Sequence, residues 1–166
     1  FDRVGALGRR ALHSLAALEG EFVGNAAAPW PPLTASLAAQ GVITREAAAG
    51  AQLLYAFGTL IGNTDMHHGN LSFISSHGRP YDLAPAYDML PMGFAPKSGG
   101  AMVNTLRPAT LIDAIAGETW HEALALAERF YTLASSCGRF SANFAPCLAA
   151  LRSHLDEARS RISRLG

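Results

Sequence analysis

The 166-residue sequence predicts a mainly α fold interrupted by one small β-hairpin. Three observations carry this. Hydrophobic residues make up 49% against 16% charged, enough to bury a core and too apolar for intrinsic disorder. Apolar side chains recur at helical spacing through most of the chain. Only around residues 70 to 84 does the pattern shorten into two brief β-favouring runs flanking a turn.

Taken in order, residues 8 to 22 place Leu12, Leu15, Leu18 and Phe22 three or four apart, which predicts a first helix. NAAAPWPP, residues 25 to 32, breaks it, because closely spaced prolines cannot continue a helix. A short helical stretch around Leu33 to Gln40 ends at Gly41. Thr44 is then a candidate N-cap, with Glu46 in the first turn, where the helix dipole favours negative charge. Leu53, Leu54, Phe57, Leu60 and Ile61 form the buried face of the helix that follows, which runs into Gly62. NLSFI and PYDLA, separated by SSHGR, read as the hairpin, with Gly78 in its turn. Residues 91 to 102 carry three Gly and two Pro with no period and read as a loop. Thr119 and Glu122 match a capping box ahead of Ala123, Leu124, Ala127, Phe130, Tyr131 and Ala134. A last helix has Leu148, Leu151, Leu155, Ala158 and Ile162 on its apolar face, and the pairs Arg152–Asp156 and Glu157–Arg161 on its solvated one.

The length suits one compact domain spanning residues 1–166. A formal net charge of zero argues against direct nucleic-acid binding or a broad grip on an anionic membrane. No apolar run approaches the roughly 20 residues of a membrane span. Cys137 and Cys147 have no metal-binding spacing and read as buried thiols, which suits a reducing cytoplasm. The chain opens on Phe1 rather than Met, as a piece of something longer would.

GNTDMHHGN, residues 62 to 70, concentrates polar side chains after a buried helix. Asp65 and Asn70 lie five residues apart there, and Asp88 follows the second hairpin strand in APAYDML. The open ends of a hairpin lie side by side, so Asp88 is expected to return beside the cluster. An Asp that accepts a hydroxyl proton, with an amide and a carboxylate that hold Mg²⁺ against phosphates, is the equipment of phosphoryl transfer. The Asp-x-x-x-x-Asn spacing followed by a later Asp has that logic.

LIGNTDMHHGNLSFI and YDLAPAYDMLP resemble the catalytic core of the HipA-like kinases, bacterial serine/threonine kinases that act as toxins in toxin–antitoxin modules. The opening FDR resembles the segment joining the two lobes of that family. The specific part of the likeness is residues 60 to 91. It implies a protein-kinase-like C-terminal lobe whose N-terminal lobe is absent from this chain, so that the chain alone is inactive. It further implies Asp65 as the catalytic Asp, with His67 beside it where the family also has His. Asn70 and Asp88 become Mg²⁺ ligands and Asp2 a contact to the nucleotide ribose. ATP and Mg²⁺ are the implied cofactors. The implied partners are a protein substrate, such as a translation component, and a DNA-binding antitoxin. The family's Lys just before the Asn is replaced by Gly69, with His68 ahead of it. DMHHGN is also similar to the loop of small-molecule kinases of the aminoglycoside phosphotransferase type.

Other readings stand beside this one. Asn63, Asp65 and Asn70 can form a turn that satisfies its own backbone, and His67 can brace the loop through a backbone bond. Asp82 reads as an outward strand residue, Trp30 and Trp120 as core anchors, and His13, His77, His121 and His154 as ordinary surface or helix-face histidines. Asp65, His67, His68 and Asp88 also offer a mixed nitrogen and oxygen set for a Zn²⁺- or Mn²⁺-dependent phosphoesterase. A catalytically silent kinase-like binding module is a third possibility.

Overall fold

The computed structural model describes residues 2–75, 77–101 and 103–165. Phe1 of the FDR segment, Ser76 of the hairpin turn and Met102 at the end of the predicted loop lie outside the described residues. The chain divides into two compact units, residues 1–55 with 66–88, and residues 56–65 with 89–166.

The first unit opens with β1 (Arg3–Val4) and β2 (Gly8–Arg9), an antiparallel pair. β3 (Ala11–Ser14), β4 (Ser72–Ser75) and β5 (Asp82–Leu83) form an antiparallel sheet in that order, with Ser14 opposite Ser72 and Phe73 opposite Leu83. The hairpin read from the sequence is β4 and β5. The β content is nevertheless larger than one hairpin, and the helix expected over residues 8 to 22 is only its second half, α1 (Leu15–Phe22). The reason is tertiary. Residues 11 to 14 pair along the free edge of β4, and Ser14 then caps α1 by accepting from Ala17 N–H at 3.2 Å.

The helix α2 (Trp30–Ala39) begins inside the proline-rich stretch, three residues earlier than expected. Proline in a first turn loses only an N–H that has no helical partner there, so Pro31 and Pro32 start this helix rather than prevent it. Trp30, Leu33 and Leu37 are buried from it, with Leu15 and Leu18 of α1 and Phe73 of β4.

The long helix α3 (Arg45–Leu60) starts in the first unit and ends in the second. Thr44 caps it, its hydroxyl accepting from Ala47 N–H at 3.1 Å, with Glu46 in the first turn. Gly62, at φ +75°, ends it. Asn63 N–H bonds the Gly58 carbonyl at 2.8 Å and Gly62 N–H the Thr59 carbonyl at 3.2 Å, the paired bonds that close a helix through a left-handed residue.

In the second unit α4 (Gly117–Ser136) packs on α5 (Ala145–Ile162). The predicted capping box does not form. The helix starts at Gly117 after an N-cap at Ala116, which leaves Thr119 inside the first turn. Ile115 and Trp120, the two positions that staple a helix start, are both buried, and that burial sets the boundary ahead of the Thr. Phe57 of α3 meets Phe130 of α4 edge to face, centroids 6.2 Å apart. Trp30 and Trp120 are both core anchors, each 1% exposed.

The second unit revises or narrows four further readings. Cys147 is buried as expected, whereas Cys137 is exposed. Of the surface and helix-face readings of His154 the second holds, and the residue is buried on α5. Arg152 pairs with Asp156 at 3.1 Å as predicted, but Arg161 donates to the Ala109 carbonyl rather than pairing along the helix. The predicted loop over residues 91 to 102 holds a 3-10 turn, Met92–Phe94, whose Phe94 is buried against Phe144. No helix among the described residues is long and apolar enough to cross a membrane.

Candidate functional site

Asp65 belongs to the second unit. Its backbone N–H donates to the Asn63 side-chain oxygen at 2.9 Å. Asn63 is almost fully buried, and its amide nitrogen donates to Met89 Sδ at 3.4 Å. The self-satisfying turn is therefore real at Asn63. Asn63 fixes the backbone of Asp65 and leaves the Asp side chain exposed on a rigid turn. Gly93 N–H bonds the Gly62 carbonyl at 2.8 Å, and a Cβ on Gly62 would meet the Leu106 side chain at 2.7 Å. The glycine is required there both by its φ and by the close approach.

His67, Asn70 and Asp88 belong to the first unit. His67 is the N-cap of the 3-10 turn His68–Asn70, its Nδ1 accepting from Gly69 N–H at 3.0 Å. An accepting Nδ1 carries no proton, so in the neutral ring Nε2 holds it. The bracing role read for His67 is thus present. A Cβ on Gly69 would lie 2.8 Å from the His67 ring, so the Lys usual in the family could not stand here without displacing that ring. His68 Nε2 lies 2.9 Å from the Ala28 carbonyl, which can only accept, so this nitrogen carries a proton and is not a metal ligand in this arrangement.

Asn70 closes the 3-10 turn, its N–H on the His67 carbonyl at 3.0 Å. Leu71 follows, buried, with its carbonyl accepting from Leu15 N–H at 2.8 Å. Asp88 is exposed and has φ +52°, unusual for a residue with a side chain, although Asp tolerates it better than most. The residue before it, Tyr87, places its hydroxyl 2.6 Å from the Gly69 carbonyl and 2.7 Å from Ser72 Oγ. The segments carrying Asn70 and Asp88 are thereby tied together, as the hairpin reading expected. Asp2 lies at the mouth of the β1–β2 hairpin. Its carbonyl accepts from Arg10 N–H at 2.8 Å and its carboxylate lies 3.7 Å from Arg3 Nε.

Asn70 offers an amide oxygen and Asp88 a carboxylate. Hard oxygen donors with one carboxylate suit Mg²⁺, which keeps water and substrate phosphates in the rest of its shell. Among the described residues no group of three or more His, Cys, Asp or Glu is arranged to hold a metal ion, as an all-protein Zn²⁺ or Mn²⁺ site would require. Sequence reading missed Tyr87 and Ser72. The available signal was a hydroxyl-bearing aromatic in APAYD, where the other neighbours of Asp88 are Ala and Pro.

The family model described as the HipA-like C-terminal domain matches residues 1–162. The chain belongs to this family. It is 32% identical over 166 residues to Toxin YjjJ of Escherichia coli strain K12, a match covering all of this chain and 37% of that protein. The chain therefore spans little over a third of the length of this curated relative. A search of solved structures also finds the crystal structure of the Helicobacter pylori proinflammatory kinase CtkA, at 15% identity and a TM-score of 0.49, over 93% of this chain and 67% of that one. The fold class read from the sequence holds for this HipA-like domain, mainly α with small antiparallel sheets.

Proposed function

We propose that this HipA-like domain is the C-terminal lobe of a Mg²⁺-ATP-dependent serine/threonine protein kinase of the toxin type. The observation that carries this is the bond from the Tyr87 hydroxyl to the Gly69 carbonyl, which joins the segments of the two proposed Mg²⁺ ligands, Asn70 and Asp88. Family membership supports the reaction class. Asp65 accepts the proton of the acceptor hydroxyl, and His67 keeps the turn in shape through Gly69 N–H. Asn70 and Asp88 supply oxygens to the ion, and Asp2 contacts the ribose. When bound, Mg²⁺ neutralises charge on the transferring phosphoryl group. The domain acts with an N-terminal lobe in the full-length protein, and by itself transfers nothing. A relative that bears the name of a toxin supports an antitoxin partner. A protein substrate, the cytoplasm as its location, one domain over residues 1–166 and the absence of direct nucleic-acid binding belong to the same reading.

The test is ATP turnover by the full-length protein. Asp65→Asn keeps the size of the side chain and removes the base, so turnover should fall roughly a hundredfold or more while nucleotide affinity is largely retained. Asp88→Asn should instead weaken ATP binding and steepen its dependence on Mg²⁺ concentration. Near-wild-type turnover in both variants would reduce the constellation to a well-formed turn.

A further inference from the structure

We propose that Tyr87 is a positioning residue for the metal ligands: its hydroxyl clamps the segment that ends in Asp88 onto the turn that ends in Asn70, and so sets the spacing of the two ligand oxygens. This rests on the kinase reading above and adds a residue to it.

The directions of the two printed bonds at the clamp follow from what each group can donate. Tyr87 has one hydroxyl proton, and the Gly69 carbonyl can only accept, so the 2.6 Å bond uses that proton. The 2.7 Å contact with Ser72 must then run the other way, with the Ser72 hydroxyl donating to the Tyr87 oxygen. Gly69 immediately precedes Asn70, and Tyr87 immediately precedes Asp88. Each proposed ligand is thus one residue from an anchored atom.

The rest of the segment offers few polar side chains. The backbone bond from Ala84 N–H to the Ser72 carbonyl, at 3.0 Å, continues the β4–β5 pairing. After it, Pro85 has no N–H, and neither Pro85 nor Ala86 has a polar side chain. Four residues beyond Ala84 the chain takes the left-handed turn at Asp88, a conformation that costs energy for a residue with a Cβ and persists only when its surroundings hold it. Tyr87 supplies a hold directly beside that turn. Residues that orient ligands without touching the metal change metal affinity when removed.

Tyr87→Phe tests this in the full-length protein, because it deletes the hydroxyl and keeps the ring. Ser72→Ala is the paired control, since it leaves the bond to Gly69 intact. ADP binding would be titrated by calorimetry with and without Mg²⁺, and amide hydrogen exchange at Asn70 followed in the nucleotide-free protein. Tyr87→Phe should raise the Mg²⁺ concentration needed for half-maximal ADP binding roughly tenfold, at the low end of the range for residues supporting metal ligands. Metal-free ADP binding should be unchanged, and exchange at Asn70 should quicken. Ser72→Ala should move the Mg²⁺ midpoint by about twofold or less, as an exchange of a hydrogen bond the clamp does not depend on. Equal loss of ADP affinity with and without Mg²⁺ would make Tyr87 a general support and overturn the proposal. So would an unchanged midpoint, unchanged exchange, or a Ser72→Ala effect as large as that of Tyr87→Phe. A wild-type protein whose ADP binding ignores Mg²⁺ would sink the kinase reading, and the positioning role with it.

Discussion

Residues 62 to 91 and the helix pair α4 and α5 are held by different means. The first stretch buries Leu71, Phe73 and Ala84, but its turns are held by single polar atoms: the Asn63 oxygen on Asp65 N–H, His67 Nδ1 on Gly69 N–H, the Tyr87 hydroxyl on the Gly69 carbonyl. The helix pair depends on distributed burial, with Trp120, Ala123, Leu151, Leu155 and Ile162 each no more than 2% exposed. On its outer surface Arg159 bridges Glu128 and Asp156, but these are exposed groups and hold little. The difference teaches where a substitution should be read. In the polar stretch one lost atom should alter function before stability. In the helix pair the order should reverse.

The largest effect expected in the helix pair is at Trp120. Truncating this fully buried ring in Trp120→Ala should destabilise the protein by about 3–5 kcal/mol, measured by denaturant unfolding. A loss below about 1 kcal/mol would mean that the start of α4 is not anchored by burial. Gly62→Ala probes the hinge between the two kinds of structure, because Gly62 closes α3 and opens the polar stretch. The substitution forces a Cβ into the left-handed region and against Leu106, and should cost about 1–2 kcal/mol. In the full-length protein, on the proposed kinase reading, turnover should fall more than that loss accounts for, since the Gly62 carbonyl also receives Gly93 N–H. Preserved turnover at reduced stability would erase the contrast.

The smallest effect is a pH dependence centred on His154. Burial lowers its pKa below the ordinary histidine value, outweighing the upward pulls of the Thr59 carbonyl, the Glu157 charge and the Arg107 backbone. With the folded pKa depressed, the unfolded state binds more protons once pH falls below about 6.5, so stability should drop as pH falls through that value. The drop should level off below the folded pKa. Unfolding curves between neutral and mildly acidic pH should therefore flatten in His154→Gln. An equal slope in the variant would place the titration elsewhere.

How much of this was legible in the sequence differs by region in the opposite sense to stability. The glycine stop and the hairpin of the polar stretch were read well because their information is local. Gly62 follows a buried helix, the hairpin runs are short and β-rich, and the Asp–Asn spacing is fixed by the chain itself. The helix ends were read less well. T-x-x-E at Thr119 is a valid start signal, yet burial of Ile115 and Trp120 moved the boundary ahead of it. Leu12 has helical spacing to Leu15, yet the open edge of β4 drew residues 11 to 14 into a strand.

The sequence by itself determined the helical class, the cap at Thr44, the glycine stop at Gly62, the β4–β5 hairpin and the residue types on which the proposed phosphoryl transfer rests. Each is written in neighbours along the chain, where spacing and backbone preference act directly. Only the tertiary structure decided that β3 joins the sheet, that His154 lies in the core and that the Tyr87 hydroxyl spans 18 residues to reach Gly69. Those outcomes depend on which buried groups find partners after the chain has closed on itself, and no local pattern encodes that.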